Sequence, residues 1–385
     1  MDEEINTIKN IISFAPQKVY WGASYLYCFL QNVNFSCTYT FFFVPLQRKS
    51  RVMSTFLSII QEYIRLGIPE QIDYKKFYLY SLITHSTAIE GSTVTEIENQ
   101  LLFDEGITAP GRTLQEQMMN LDLKHAYEIA QEQAEHHTPY SVKMLCDLSA
   151  CLMEHTGSTY NTPLGTFSSA SGDLRLLNVT AGFGGRSYMA FAKVPQALQE
   201  FCRWLNNERN QVQTTDILSA YRLSFLAHYR LVTIHPWADG NGRMARLVMN
   251  MLQWEHNLIP VKVLKEQKAE YIQALIDTRE QDNEDIFVDT MLRIHQHNLS
   301  AEIAAFNASM EANDTKDDTK QLTDRQQIIL DLIRKDDTIT ISEMIQKIQV
   351  SEITIKRELS ILKKMRVLER IGGRKEGKWL ITKHS

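Results

Sequence analysis

His235-Pro236-Trp237-Ala238-Asp239-Gly240-Asn241-Gly242-Arg243-Met244-Ala245-Arg246 is the stretch from which the rest of the chain is read. Proline disfavours the α region at the residue before it, so the helix running up to this stretch is predicted to end at or just before His235. Gly240 and Gly242 permit a tight backbone path whose amides point at one spot. A new helix is predicted to begin near Arg243. A glycine-rich turn that delivers a helix N-terminus attracts anions, because its unpaired amides and the helix dipole both favour negative charge. Arg243 and Arg246 are placed in the first turn of that helix, where a cation is disfavoured by ~0.3–1 kcal/mol. At i,i+3 they share a face. Two cations set against the dipole break a local rule, and such breaks mark functional sites; a bound polyphosphate reverses the penalty. Asp239, which phosphate alone would repel, fits as a ligand for Mg²⁺. His235 is the one side chain here that takes up a proton near neutral pH. Taken singly, these are a loop histidine, a capping aspartate and surface arginines; taken together they specify a phosphate site.

Outward from this loop, helix-period patterns run from Met53 to about Ser309. Ile217, Tyr221, Phe225, His228, Leu231 and Val232 form one apolar stripe, and Leu247, Val248, Met251 and Leu252 form the next, ending before Pro260. Gln115–Gln133, Ser141–Glu154 and Pro195–Asn207 also read as helices. Asp173–Lys193 differs: Leu174, Leu176 and Val179, a Gly182-Phe183-Gly184-Gly185 turn, then Tyr188 and Phe191 predict a short β-hairpin. Glu311–Gln321 is polar and reads as a linker. Beyond it, Arg325–Lys335, Ile341–Ile348 and Ser351–Met365 are predicted helices, with Ser351 as an N-cap. Strands are expected at Val367–Ile371 and Lys378–Thr382 about Gly372-Gly373. Three helices and a two-stranded wing describe a winged helix-turn-helix. Lys356, Arg357, Lys363, Lys364 and Arg366 lie along its third helix, and Arg370, Arg374, Lys375 and Lys378 around the wing.

The chain has 385 residues, room for two or three domains. With 44% hydrophobic and 23% charged residues it is not a disordered chain, and 16 Gly and 9 Pro exclude collagen-like and low-complexity architectures. Five cysteines without a CxxC pair argue against a disulfide framework or a structural zinc site, and a reducing cytoplasm is the expected location. Leu322–Ser385 carries 14 Lys/Arg against 9 Asp/Glu, a basic module after an acidic body, and basic modules contact polyanions. Val19–Gln47 has no charged side chain but is interrupted by Gln31, Asn32, Asn34, Ser36, Thr38 and Thr40, unlike a membrane span of ~20 apolar residues. Residues 1–52 therefore read as an aromatic-rich extension, either poorly ordered or lying upstream of a protein that naturally begins near Met53, and no membrane association is expected.

His235–Arg246 resembles the active-site motif of the Fic family, HxFx(D/E)GN(G/K)R, and the resemblance extends over roughly Met53 to Ser309. It implies a mainly α fold, a Fic-type helical domain with a β-hairpin flap, and transfer of AMP from ATP to a Ser, Thr or Tyr hydroxyl of a target protein. By that resemblance His235 is the base and Asp239 holds Mg²⁺ on the α- and β-phosphates. Gly240, Asn241 and Gly242 cradle the phosphates, with Asn241 near the α-phosphate, while Arg243 meets the β-phosphate and Arg246 the γ-phosphate. Trp237 stands where the family often has Phe, as an apolar anchor. Gly242, where kinase-like Doc-type members have Lys, points to nucleotidyl transfer. The 173–193 hairpin becomes a flap that registers a target segment by adding a strand. Tyr271 falls where some relatives carry an aromatic near the adenine; it reads equally as a core residue of the Glu270–Arg279 helix.

Ser86-Thr87-Ala88-Ile89-Glu90-Gly91 closes a helical run from Tyr74. Glu90 faces the negative end of the dipole and wants a cationic partner; Ser86 lies on the same face. The run 74–91 resembles the family's inhibitory helix, (S/T)xxxE(G/N), which implies that Glu90 pairs with Arg246 and leaves the γ-phosphate without its arginine. Some braked relatives also reverse the modification. The expected organisation is an extension (1–52), a Fic domain (53–310), a linker (311–321) and the winged module (322–385). The alternative is a nucleotide-sensing DNA-binding regulator acting through 322–385, although Glu352 and Glu358 on the third helix weigh against DNA. Homodimerisation stays open.

Overall fold

The computed structural model describes residues 54–181, 185–213, 215–314, 322–365, 367–372 and 377–382, without the side chains of 311–314 and 364. It divides into two units, Met1–Leu57 and Ser58–Ser385. The expected extension 1–52 lies outside the described residues, as do Arg366, Arg374 and Lys375.

From Tyr74 the second unit runs α1 (Tyr74–Ile89), α2 (Glu96–Glu105), α3 (Leu114–Glu135), α4 (Val142–Leu152), β1 (Thr159–Thr162), β2 (Gly165–Ser168), α5 (Val194–Arg209), α6 (Ile217–Ile234), α7 (Asn241–Glu255), α8 (Lys268–Glu280) and α9 (Glu284–Asp314). Side chains set most starts: Thr95 with Glu98 and Thr113 with Glu116 form capping boxes for α2 and α3, and Ser141 and Asp216 cap α4 and α6. The helices pack around α7, whose residues from Arg243 to Gln253 are all buried. Leu247, Val248 and Met251 meet Leu123 and Tyr127 of α3, Leu148 and Leu152 of α4, Leu198 and Leu205 of α5, and Leu223 and Leu231 of α6 in one core. A helix buried all round must satisfy its polar groups internally. Asn250 bonds Tyr127 Oη at 2.7 Å and the Val261 carbonyl at 2.9 Å, and Gln253 donates to Ser224 Oγ at 2.9 Å.

Two expectations are corrected. The 173–193 segment has no regular strands among its described residues; it closes on a single antiparallel bridge, Thr180 to Ser187. The hairpin strands of the body lie just before it, β1 pairing with β2 around Pro163-Leu164. Helix α9 continues to Asp314, so the first four residues of the expected linker belong to it.

The C-terminal module contains α10 (Asp324–Lys335), α11 (Ile341–Ile348), α12 (Glu352–Lys364), β3 (Leu368–Ile371) and β4 (Lys378–Ile381), with β3 and β4 antiparallel. Ser351 caps α12 as expected, accepting from the Thr354 amide. Ile329, Ile333, Met344, Ile355, Leu359, Leu362 and Trp379 form its own core. Glu358 turns inward, taking a hydrogen bond from Gln326 at 2.9 Å beside Arg325 and Arg357, both at 3.5 Å. The start of α12 rests on the helical body. Lys356 pairs with Asp73, Glu352 accepts from Gln100 at 2.5 Å and lies 3.9 Å from Lys76, and Ser342 donates to Glu105 at 2.5 Å. Among the described residues no helix is long and apolar enough to cross a membrane.

Candidate active site

Helix α6 stops at Ile234 because its C-cap, His235, takes the left-handed conformation at φ 54° and ψ 61°. The stop falls where the sequence reading placed it. A left-handed non-glycine residue costs about 1–3 kcal/mol and persists only where its surroundings fix it. Here the His235 amide bonds the Leu231 carbonyl at 3.1 Å, and Arg175 Nε donates to the His235 carbonyl at 2.7 Å. Arg175 also bonds the carbonyls of Leu177 and Met189, tying both legs of the 173–193 segment to the loop.

The imidazole is prepared to accept a proton. Its Nδ1 lies 3.2 Å from the Val232 carbonyl, an acceptor, so the proton sits on Nδ1 and Nε2 keeps its lone pair. Burial pushes its pKa down to about 4, so the ring is neutral at physiological pH. Tyr188 stacks on it, ring centroids 3.8 Å apart and planes at 17°.

The next residues are held by one amide side chain. Asn241 Oδ1 accepts from the Trp237 amide at 3.1 Å and its Nδ2 donates to the Trp237 carbonyl at 2.9 Å. Trp237 is fully buried and donates from Nε1 to the Gly172 carbonyl at 3.1 Å, the apolar anchor expected of it. The Asn241 side chain is thus a brace, and its backbone amide is what remains to meet a phosphate. Gly240 is left-handed at φ 78°, and a Cβ there would lie 2.9 Å from Met153 Sδ. Helix α7 starts at Asn241, and its first intrahelical bond runs from the Met244 amide to the Gly240 carbonyl. The amides of 241–243 therefore stand at the helix mouth without an intrahelical acceptor. Arg243 is in the first turn as expected; Arg246 is in the second.

The two arginines differ. Arg243 is 3% exposed; its Nη2 donates to Met153 Sδ at 3.1 Å and lies 3.8 Å from Asp239, while its Nε and Nη1 are buried without a partner. A buried cation with unsatisfied donors is costly unless an anion completes it. Asp239 is mostly exposed; one of its oxygens accepts from the Gly240 amide. A mostly exposed carboxylate beside the amide cradle suits Mg²⁺, which takes one or two protein carboxylates plus phosphate oxygens.

Arg246 is saturated. It donates to Glu90 Oε1 at 2.6 Å, to Ser86 Oγ at 2.8 Å and to the Ser86 carbonyl at 3.0 Å, with Tyr271 Oη at 3.4 Å. Burial would raise the Glu90 carboxyl, but the Arg246 charge and hydrogen bond outweigh it and hold the group below its usual range. Tyr271 is buried and hydrogen-bonded to His228, a core residue behind Arg246; of the two readings open in the sequence, the structure selects this one. Gly242 leaves room for the Glu90 carboxylate, because a Cβ there would fall 2.7 Å from Glu90 Oε1. Helix α1 is anchored by Thr87 donating to Asn120 at 2.8 Å and by Lys268 donating to the Ile89 carbonyl at 2.6 Å.

Residues 139–253, which include the loop and all but the last two residues of α7, match the Fic/DOC family, and residues 325–376 match the DeoR-like helix-turn-helix domain. The chain carries a Fic/DOC domain. Over 201 residues it is 28% identical to the protein adenylyltransferase Fic of Drosophila melanogaster and 25% identical to the protein adenylyltransferase fic-1 of Caenorhabditis briggsae. The match takes in 52% of this chain and 37% or 36% of theirs, so the chain spans little more than a third of the curated relatives it matches. Two solved structures show the Fic fold. A Fic domain containing signaling protein from Bacteroides thetaiotaomicron aligns with a TM-score of 0.56 at 20% identity, over 66% of this chain and 98% of that one. A Fic family protein from Desulfovibrio desulfuricans aligns at 0.53 and 16% identity, over 86% and 97%. Tyr188 and Arg175 are the Fic-domain residues that sequence reasoning missed as site residues. Arg175 left one signal, a lone cation between Leu174 and Leu176.

Proposed function

We propose that the Fic domain transfers AMP from ATP to a hydroxyl side chain of a target protein, and that Glu90 holds it in an inhibited state. The observation that carries this reading is the pair of arginines on one face of α7: Arg243 buried with two unsatisfied nitrogens, and Arg246 filled by a carboxylate from another helix. A polyphosphate would supply the acceptors Arg243 lacks and would compete with Glu90 for Arg246. Asp239 would hold Mg²⁺, which when bound neutralises phosphate charge. His235 Nε2 takes the proton from the target hydroxyl as its oxygen bonds to the α-phosphorus, and the bond to the β-phosphate bridging oxygen breaks, releasing pyrophosphate. The segment 173–193, fastened to His235 through Arg175, is the surface on which the target chain docks. With Glu90 on Arg246 the γ-phosphate has no arginine, and the α-phosphorus is not set in line for attack.

ATP labelled at the α- or the γ-position tests the transfer in a Glu90→Gly background. Label entering protein from the α-position alone is the expected result; label from the γ-position means phosphoryl transfer and overturns the reading.

The DeoR-like match favours a second role, DNA contact through 322–385. In helix-turn-helix proteins the first residues of the recognition helix reach the base edges. Here Glu352 and Lys356 of α12 are engaged by Gln100 and Asp73 of the body. We expect Asp73→Lys, a change outside the module, to raise the affinity of the whole chain for duplex DNA by about tenfold or more, the equivalent of ~1.4 kcal/mol. Fluorescence anisotropy with a salt titration measures it. Equal affinity for both proteins removes the competition.

A further inference from the structure

One turn apart on α3 stand Asp122, buried, and His125, exposed; facing them at the end of α4 and in the turn after it stand Cys151, Glu154 and His155. His125 Nδ1 lies 3.1 Å from Cys151 Sγ and 3.9 Å from Glu154 Oε2. The ligand atoms of His125, Cys151 and Glu154 all fall within 4.8 Å of one another, as do those of Asp122, Glu154 and His155. Glu154 belongs to both groups.

We propose that His125, Cys151 and Glu154 form a binding site for a divalent transition metal of the zinc type. Three arguments support it. The first is spacing: metal bonds of about 2.0–2.3 Å arranged tetrahedrally put neighbouring ligand atoms roughly 3.3–3.8 Å apart, and the two measured separations bracket that range. The second is donor chemistry. One imidazole nitrogen, one sulfur and one carboxylate oxygen suit Zn²⁺ or Co²⁺, while a thiolate excludes Mg²⁺ and Ca²⁺ as natural occupants. Three protein ligands on a half-exposed surface leave a fourth position to water.

The third is the supporting shell. Asp122 is 2% exposed and grips His155 twice, accepting from its amide at 2.9 Å and lying 2.7 Å from its Nδ1. That grip fixes the turn bearing Glu154, as outer hydrogen bonds fix metal ligands elsewhere. The ligands come from α3, the end of α4 and the turn after it, so no CxxC-type spacing announces them. Met153, between Cys151 and Glu154, is the residue whose sulfur accepts from Arg243. The proposed site thus flanks a residue that touches Arg243.

Co²⁺ titration of the chelator-treated, reduced full chain tests the proposal without any activity measurement. We expect one equivalent to give a sulfur-to-cobalt charge-transfer band that Zn²⁺ abolishes and excess Mg²⁺ leaves in place. Cys151→Ser should lose the band, and His125→Ala should weaken Co²⁺ at least tenfold. Zn²⁺ should raise the Tm of the parent protein and leave that of both variants unchanged. Absence of the band in the parent overturns the site, as does a band that survives Cys151→Ser or yields to Mg²⁺. If Cys151→Ser does not fold, the His125→Ala titration decides: undiminished Co²⁺ binding there overturns the assignment.

Discussion

Replacing Glu90 by glycine is expected to raise ATP-dependent labelling of protein targets by about 5–150-fold, the range of a 1–3 kcal/mol coupling between sites. Glu90 gives Arg246 its shortest contact, 2.6 Å, and it is the anionic partner among the groups that hold the guanidinium. Removing it leaves Arg246 positioned by Ser86 and Tyr271 but without a counter-charge, the state in which a γ-phosphate binds best. Glycine suits the position, since Glu90 is a helix C-cap followed by Gly91 at φ 108°. The measurement is label incorporated from α-labelled ATP at equal concentrations of parent and variant, with circular dichroism as the folding control. Unchanged labelling in a folded variant would remove the autoinhibition.

The second large effect is expected at His235. In a Glu90→Gly background, His235→Ala should lower labelling by about 10²–10⁴-fold, the usual contribution of a positioned base. ATP affinity should stay within a factor of a few, because the phosphates are assigned to the amides of 241–243 and the two arginines. Titration calorimetry separates the two quantities. A variant that binds ATP and still labels its target would show that the imidazole is not the base. The low pKa of the free site also sets a direction. Since His235 is already neutral above about pH 4, labelling should not fall as pH drops from 8 to 6 on its account.

The proposed anion site is legible in the sequence because its parts are adjacent: two glycines, the mouth of α7 and two arginines sit within a few positions. The tie between Arg246 and Glu90 spans 156 positions, and only the resemblance of the 74–91 run to an inhibitory helix brought the two together. Alternating apolar residues made 173–193 look like two strands. In the folded chain Arg175 takes carbonyls from both legs, and one bridge suffices to close it. The hairpin β1–β2 was missed although Pro163 lies in its turn and Gly165 follows it, because Thr159–Thr162 carries few apolar residues to alternate. Tyr188 over His235, and Asn241 folded back on Trp237, are products of tertiary packing with no local pattern. The inward turn of Glu358 is another: it read as a charge opposing DNA and is instead bonded to Gln326.

Helix α1 has one job at each end. Its first turn, with Asp73 and Lys76, meets the start of α12; its last turn carries Ser86, and Glu90 caps it. Sixteen residues at ~1.5 Å each make a rigid rod of about 24 Å between the two. The docking face of the C-terminal module and the carboxylate that fills Arg246 are therefore carried by the two tips of one continuous element.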